Sequence, residues 1–131
     1  MRLANKIAII TGVGAGIGES IAIRFAEEGA RLVLNDISGP AAQATIRKVT
    51  DLGAEAALAV ADISQEAGAR SISAVAIERF GAIDILVNNA ADFTQKSVSD
   101  AEIADWQKVL AIQMLLARYL RAVAEPDSLE G

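Results

Sequence analysis

The chain has 131 residues, of which 53% are hydrophobic and 4% aromatic, and it contains neither cysteine nor histidine. This length suits a single domain with one core, and the two missing residue types exclude disulfides, thiol nucleophiles, histidine bases and Cys/His zinc sites. A formal net charge of −5 argues against nucleic-acid binding, because phosphate neutralisation needs clustered Lys and Arg. A metal site built from Asp and Glu alone stays open, but no clustered acidic motif indicates one.

The N-terminus and the apolar runs predict neither a leader nor a membrane anchor. The stretch MRLANKIAII leads into Thr-Gly without a cleavage-type site. No apolar run in the sequence approaches the length of a membrane span. We therefore expect a cytoplasmic protein with no membrane partner.

Strand-like and helix-like segments alternate along the chain. Short β-branched runs predict strands, whereas apolar residues three and four apart predict helices that stop at Gly29, Gly53 and Gly81. Ser64 is expected to cap the third helix, and a capping box that begins at Ser99 opens the fourth. The predicted strands cover residues 6–11, 31–36, 55–61 and 83–88, and the predicted helices cover 16–28, 40–52, 66–80 and about 99–124. Residues 55–61 (EAALAVA) are ambiguous by themselves because alanine favours a helix, and their place in the alternation argues for a strand. Repeated βαβ units with right-handed crossovers predict an α/β fold with a parallel sheet, in one domain over residues 1–131.

A glycine-rich loop, TGVGAGIG at residues 11–18, lies between the first strand and the first helix. Glycine lets main-chain N–H groups approach a ligand closely, and the N-terminus of a helix carries partial positive charge. The spacing departs from the common dinucleotide pattern G-x-G-x-x-G and gives T-G-x-x-x-G-x-G through Thr11, Gly12, Gly16 and Gly18. We interpret the loop as a diphosphate site, and the alternative is a flexible surface turn.

Asp36 ends the second strand, 20 positions after Gly16. A carboxylate at that place accepts hydrogen bonds from a ribose 2′-hydroxyl and repels a 2′-phosphate, which favours NAD over NADP. The alternative is that Asp36 caps the following turn together with Ser38.

Two further polar stretches follow the third and fourth strands, namely Asp62-Ile63 and Asn88-Asn89-Ala90-Ala91. With these stretches the chain resembles the short-chain dehydrogenase/reductase family from its N-terminus to about residue 124. The resemblance implies a Rossmann-type, three-layer αβα fold with a parallel sheet in the order 3-2-1-4, which here ends after the fourth strand and its long following helix. Ala91 stands where the family has glycine.

The resemblance also implies roles for these residues at a cofactor. In the family the glycine-rich motif binds the pyrophosphate, the acidic residue after the second strand selects NAD, and the Asp-apolar pair holds adenine. The Asn-Asn stretch stabilises the central sheet and approaches the cofactor. The matching residues are Thr11, Gly12, Gly16, Ile17, Gly18, Asp36, Asp62, Ile63, Asn88, Asn89 and Ala90. The implied cofactor is NAD.

The family's catalytic residues are not matched. Its members use a Tyr with a Lys four residues on, a Ser about a dozen residues earlier and an Asn on the long helix. The one tyrosine here, Tyr119, is followed four residues on by Val123, and Gln113 stands at the position of the catalytic Asn. We therefore assign no catalytic residue and predict an NAD-binding portion that does not turn over substrate as this chain.

Two alternatives stay open. One is an active oxidoreductase whose catalytic half comes from another chain or was lost by truncation, and the other is an interaction domain that binds no nucleotide. The apolar fourth strand is expected to form an open sheet edge, which invites pairing with another chain. We expect a homo-oligomer, or a partner chain, through this edge and the last helix.

Overall fold

The computed structural model describes residues 1–90 together with Gln107. Within residues 1–90 strands and helices alternate as predicted. The elements are β1 (Ile7–Thr11), α1 (Gly16–Glu27), β2 (Arg31–Asp36), α2 (Gly39–Asp51), β3 (Ala56–Val60), α3 (Glu66–Phe80) and β4 (Ile85–Val87). The predicted helix over residues 99–124 lies outside the described residues apart from Gln107, which is helical.

The four strands form one parallel sheet in the order β3-β2-β1-β4, which confirms the predicted topology. Ile9 in the middle of β1 lies between Val33 of β2 and Leu86 of β4. The connection from β3 to β4 therefore crosses the whole sheet. In this arrangement the carboxyl ends of all four strands lie along the same edge, and the predicted site residues follow those ends.

The core lies on both faces of the sheet because successive side chains of a strand point to opposite faces. On one face Ala8 and Ile10 pack with residues of α1 and α2. On the other face Ile9 and Val33 pack with α3. The helices use alanine at many contacts, for example Ala22 and Ala76, so they approach the sheet closely. These three layers are the predicted αβα sandwich.

The fourth strand is shorter than predicted, since it covers Ile85–Val87 rather than residues 83–88. At its start the Asp84 carboxylate accepts a hydrogen bond from the Ile7 N–H at 2.9 Å, in place of a strand carbonyl. At its end the Asn89 N–H donates to the Thr11 hydroxyl at 3.1 Å. The Asp84 N–H also donates to the Ile7 carbonyl at 2.9 Å, so main-chain pairing continues at the start of the strand, whereas the chain turns after Val87 at its end. Apolar periodicity does not indicate these limits.

The prediction that Ser64 caps α3 is wrong. The residue at the N-cap is Gln65, and its side chain makes no capping hydrogen bond. The Ser64 hydroxyl instead donates to Asp62 Oδ1 at 2.6 Å. Because the N–H and the hydroxyl of Ser64 both donate to Asp62 Oδ1, Ser64 lies in a turn that precedes the helix.

Candidate cofactor site

The glycine-rich loop leaves β1 and enters α1 through two residues with left-handed backbone, Gly12 (φ +68°) and Gly16 (φ +62°). Side chains other than glycine rarely adopt this conformation. At Gly12 space is also restricted, because an added Cβ would lie 2.8 Å from the Cα of Ala90. The end of β1 therefore packs against the residues that follow β4, and only glycine fits between them.

Among the residues that the structure describes, no side chain caps the N-terminus of α1. Its N-cap residue is Ala15, whereas Ser38 caps α2 through a hydrogen bond from the Ala41 N–H. The first N–H groups of a helix have no partner within the helix, so those of α1 need an acceptor from elsewhere. Within residues 1–90, a Cβ on Gly16 would meet no other residue within 4 Å, so this part of the chain leaves the loop open at this point. This end of α1 is suited to bind an anion.

A buried hydroxyl joins the loop to the residues after β4. Thr11 has no exposed surface, and its Oγ1 accepts hydrogen bonds from the Asn89 N–H at 3.1 Å and the Ala90 N–H at 3.0 Å. The Asn89 side chain returns a hydrogen bond from Nδ2 to the Gly12 carbonyl at 3.1 Å. The fold thus brings together the predicted residues Thr11, Gly12, Asn89 and Ala90, and Asn88 is half-buried directly before them.

Gly18 allows α1 to begin close to this junction. An added Cβ there would overlap the Gly12 carbonyl oxygen and lie 2.6 Å from Asn89 Nδ2. Ile17, its neighbour, is 73% exposed, which is unusual for an isoleucine beside a core helix face. Gly18 therefore permits close packing at the start of α1, whereas Ile17 presents an exposed apolar side chain beside the loop.

The structure places Asp36 against the same loop. Its Oδ2 accepts a hydrogen bond from the Gly14 N–H at 2.8 Å, and its Oδ1 accepts one from the Ser38 N–H at 3.0 Å. The turn contact with Ser38 that the sequence allowed is present, but it uses only one of the two carboxylate oxygens. The carboxylate is held between the loop and the N-terminus of α2, and is half-buried.

Asp62 and Ile63 follow β3 but do not face the same way. Asp62 Oδ1 accepts hydrogen bonds from the N–H and the hydroxyl of Ser64 at 2.9 and 2.6 Å. Ile63 is only 5% exposed and belongs to the core between the sheet and α3. Its side chain therefore supports the edge of the sheet from within and presents little surface to a ligand.

The family model of the short chain dehydrogenases matches residues 6–121. The chain belongs to this family. Among relatives it is 37% identical over 127 residues to the 7alpha-hydroxysteroid dehydrogenase of Escherichia coli K12, covering 97% of this chain and 49% of the relative. It is 35% identical to an uncharacterized oxidoreductase of Thermotoga maritima, of which it covers 48%. The chain thus spans about half the length of the curated relatives it matches.

Solved structures of short-chain dehydrogenases have the same fold. A 7 alpha-hydroxysteroid dehydrogenase complexed with NADH and 7-oxo glycochenodeoxycholic acid superposes with a TM-score of 0.85 at 37% identity, covering 96% of this chain and 49% of that one. L-sorbose reductase from Gluconobacter frateurii, complexed with NADPH and L-sorbose, gives a TM-score of 0.84 at 29% identity, covering 92% and 47%. The two solved complexes hold different dinucleotides, so the fold is compatible with both.

Three residues that position the loop, two of them polar, were not predicted from the sequence. The Thr45 hydroxyl on α2 donates to the Val13 carbonyl at 2.8 Å, and the Val13 N–H donates to the Asn35 carbonyl at 3.1 Å. Asn35 also donates from Nδ2 to the carbonyls of Ala59 and Ala61. The third residue is Gly14, which contacts Asp36. Asn35 inside an apolar strand and Thr45 on an apolar helix face were signals that a buried polar group needs a partner.

The residues that were examined for catalysis, Gln113 and Tyr119, lie outside the described residues, as does Ala91. Within residues 1–90, no three Asp, Glu, His or Cys side chains gather as a metal ion would require. In the same part of the chain, none of the helices is long and apolar enough to cross a bilayer.

Proposed function

We propose that this chain binds a nicotinamide dinucleotide along the carboxyl edge of its sheet. The diphosphate lies at the N-terminus of α1, beside Gly12, Gly16, Ile17 and Gly18. The observation that carries this proposal is the pairing of an uncapped α1 N-terminus with a carboxylate fixed beside the same loop. The N-terminus of α1 binds the anionic oxygens of a diphosphate, and the Asp36 carboxylate accepts hydrogen bonds from the hydroxyl groups of a ribose. A nucleotide presents both kinds of group.

The other site residues complete the proposed contact surface. Asp62 and the main chain at Ile63 lie near the adenine, while Thr11 acts indirectly by holding Asn89 and Ala90 in place. Asn88 belongs to the same turn after β4. The support comes from the packing described above and from family members solved with NADH and with NADPH.

The proposed cofactor is NAD rather than NADP. A carboxylate beside the ribose accepts hydrogen bonds from the 2′-hydroxyl but repels a 2′-phosphate, and Asp36 supplies that carboxylate. The relative that is 37% identical was solved with NADH, which supports this choice.

When bound, the dinucleotide would exchange a hydride with a carbonyl or alcohol, as dehydrogenases of this family do. The proton that accompanies the hydride needs an acid or base near neutral pH. Tyr119, the only tyrosine in the 131 residues, is followed four positions on by Val123 and not by lysine. We infer that these residues bind and orient the cofactor, and that proton transfer needs groups outside them.

The groups for proton transfer would then come from a different chain or from residues lost by truncation, which are the two sources that the sequence leaves open. Within residues 1–90, β4 pairs only with β1, and its three residues Ile85, Leu86 and Val87 are apolar and half-buried. A parallel strand with one free edge is a template for another strand. We therefore propose association with another chain at the β4 edge.

The direct test is calorimetric titration of the chain with NADH. We expect saturable binding with one dinucleotide per chain, together with a rise in the melting temperature, since a ligand that binds only the folded state stabilises it. If NADH produces neither heat nor a change in melting temperature, the chain is an interaction domain without nucleotide binding, and the proposal is wrong.

A pair of glycine variants locates the diphosphate. Gly16 and Gly53 both have left-handed backbone, with φ of +62° and +91°, and an added Cβ meets no protein atom within 4 Å at either position. Gly16→Ala and Gly53→Ala should each lower the free energy of unfolding by about 1 kcal/mol through backbone strain. Only Gly16→Ala should weaken NADH binding, by about tenfold, because the methyl group enters the diphosphate space. Equal NADH affinity in the two variants would contradict the placement.

A further inference from the structure

Gly14 occupies a position that the T-G-x-x-x-G-x-G motif leaves free, yet it is closely surrounded. An added Cβ would lie 2.7 Å from Ala41 Cβ and 2.9 Å from Asp36 Oδ2. Unlike Gly12 and Gly16, Gly14 does not have left-handed backbone. Backbone conformation therefore does not require glycine here, and the requirement comes from the neighbouring side chains.

The contact holds the Asp36 carboxylate from both sides. Gly14 N–H donates to Oδ2 at 2.8 Å, and Ser38 N–H donates to Oδ1 at 3.0 Å. Hydrogen bonds from an N–H to an ionised carboxylate are among the stronger ones in proteins. Because each carboxylate oxygen has two lone pairs, each keeps one for a further donor. The anchored carboxylate thus retains acceptor sites for two hydroxyl groups.

We propose that Gly14 is a specificity-determining residue, which fixes the Asp36 carboxylate so that this site accepts a ribose diol and rejects a 2′-phosphate. This inference rests on the proposed dinucleotide function. An aspartate without anchors turns about its side-chain bonds and moves away from a phosphate at little cost. Held by two main-chain donors, Asp36 keeps its negative charge where the phosphate would lie, and repulsion at close range is strong in a partly buried site.

Gly14→Ala is the informative variant because it keeps the N–H and changes only the space. Its methyl group displaces the carboxylate, since Cβ and Oδ2 cannot stay 2.9 Å apart. We expect NADH affinity to fall about tenfold while NADPH affinity does not fall, so that the ratio of the two affinities narrows by about the same factor. Asp36→Ala serves as the reference and should narrow the ratio at least as much.

Two further variants separate the carboxylate from other effects. Gly14→Ala combined with Ala41→Gly removes the contact with α2 but leaves the contact with Asp36, so the narrowed ratio should persist. Gly39→Ala adds a methyl group at the start of α2, 3.5 Å from Val60 Cγ2, and should leave the ratio unchanged. If Gly14→Ala changes both affinities by the same factor, or the double variant restores the original ratio, the proposal is wrong.

A spectroscopic measurement tests the anchor itself should Gly14→Ala fail to fold. In the NMR spectrum of the cofactor-free chain, the Gly14 amide proton should move upfield in Asp36→Ala, because its carboxylate acceptor is lost. The amide of Gly53, which donates to the Thr50 carbonyl at 2.9 Å, should stay in place. An unmoved Gly14 resonance would contradict the anchor. Failure of the unmodified chain to bind NADH would overturn the proposed function separately, because that titration involves no variant.

Discussion

Thr11 shows how one uncharged side chain organises the candidate site. Its hydroxyl is buried and accepts two main-chain N–H groups, those of Asn89 and Ala90. A buried donor that loses its acceptor destabilises a protein by about 1–3 kcal/mol. The motif alone predicted Thr11 as a site residue. The packing gives a reason for a hydroxyl there, because a serine or threonine side chain at the end of β1 reaches the turn after β4.

Replacing Thr11 with valine keeps the shape of the side chain and removes the acceptor. We expect Thr11→Val to lower the free energy of unfolding by about 2 kcal/mol, measured by urea denaturation, because the Ala90 amide loses its acceptor and the Asn89 amide keeps only the Val87 carbonyl at 3.1 Å. Thr11→Ser is the matched control, which keeps the hydroxyl, loses one methyl group and should cost only about 1 kcal/mol. Equal losses in the two variants would show that the hydroxyl contributes little.

The positions of the candidate site residues were predictable where a motif fixes the spacing, and their contacts were less so where they cross between elements. Asp36 followed from its position after the second strand, but the engagement of both its oxygens did not. Gly14 was not predicted as a site residue, because it does not belong to the motif. Its hydrogen bond joins residues that are 22 positions apart, and only the register of β1 and β2 brings them together.

At the scale of the elements, α3 contains a glycine that helix propensity disfavours. Gly68 lies in the first turn of Glu66–Phe80, and an added Cβ would overlap the Asp62 carbonyl oxygen and lie 2.7 Å from the Asp62 carbonyl carbon. The helix therefore begins directly against the residue that follows β3. Close approach of helix and strand end takes precedence over propensity here.

Gly68→Ala tests which effect is larger. Alanine gains about 1 kcal/mol of helix propensity, whereas overpacking against a fixed carbonyl costs about 1–3 kcal/mol, so we expect net destabilisation. Ala74→Gly, at an exposed position of the same helix, calibrates the propensity and should cost about 1 kcal/mol. Both are measured by chemical denaturation. A stabilised Gly68→Ala variant would mean that α3 moves aside without penalty.

Most element types followed from apolar periodicity, and β3 is the exception. Its sequence, AALAV, is rich in alanine and favours a helix by composition, but it is a strand. The alternation of elements indicated this correctly, because a parallel sheet needs a strand between two crossover helices. The predicted limits of β4 were too wide, because the chain turns after Val87 and the Asn89 N–H donates to the Thr11 hydroxyl, which apolar periodicity does not indicate.

At the scale of the whole molecule, the four-stranded sheet leaves one edge at β4 within the described residues. We expect the chain, of 13.6 kDa, to sediment above its monomer mass as its concentration rises. Leu86→Lys should reduce this association by placing a charge on β4, whereas Leu52→Lys, at an exposed site after α2, should not. Circular dichroism checks that both variants are folded. A monomer at all concentrations would contradict association at this edge.

The sequence by itself determined the alternation of elements, the parallel sheet and the positions of the motif residues, because these depend on local periodicity and on fixed spacing along the chain. The tertiary structure decided which groups face one another at the carboxyl edge of the sheet. It set Asp36 between Gly14 and Ser38, buried Ile63, and joined Thr11 to the turn after β4. These contacts depend on strand register and on close packing between distant segments, and no local pattern contains that information.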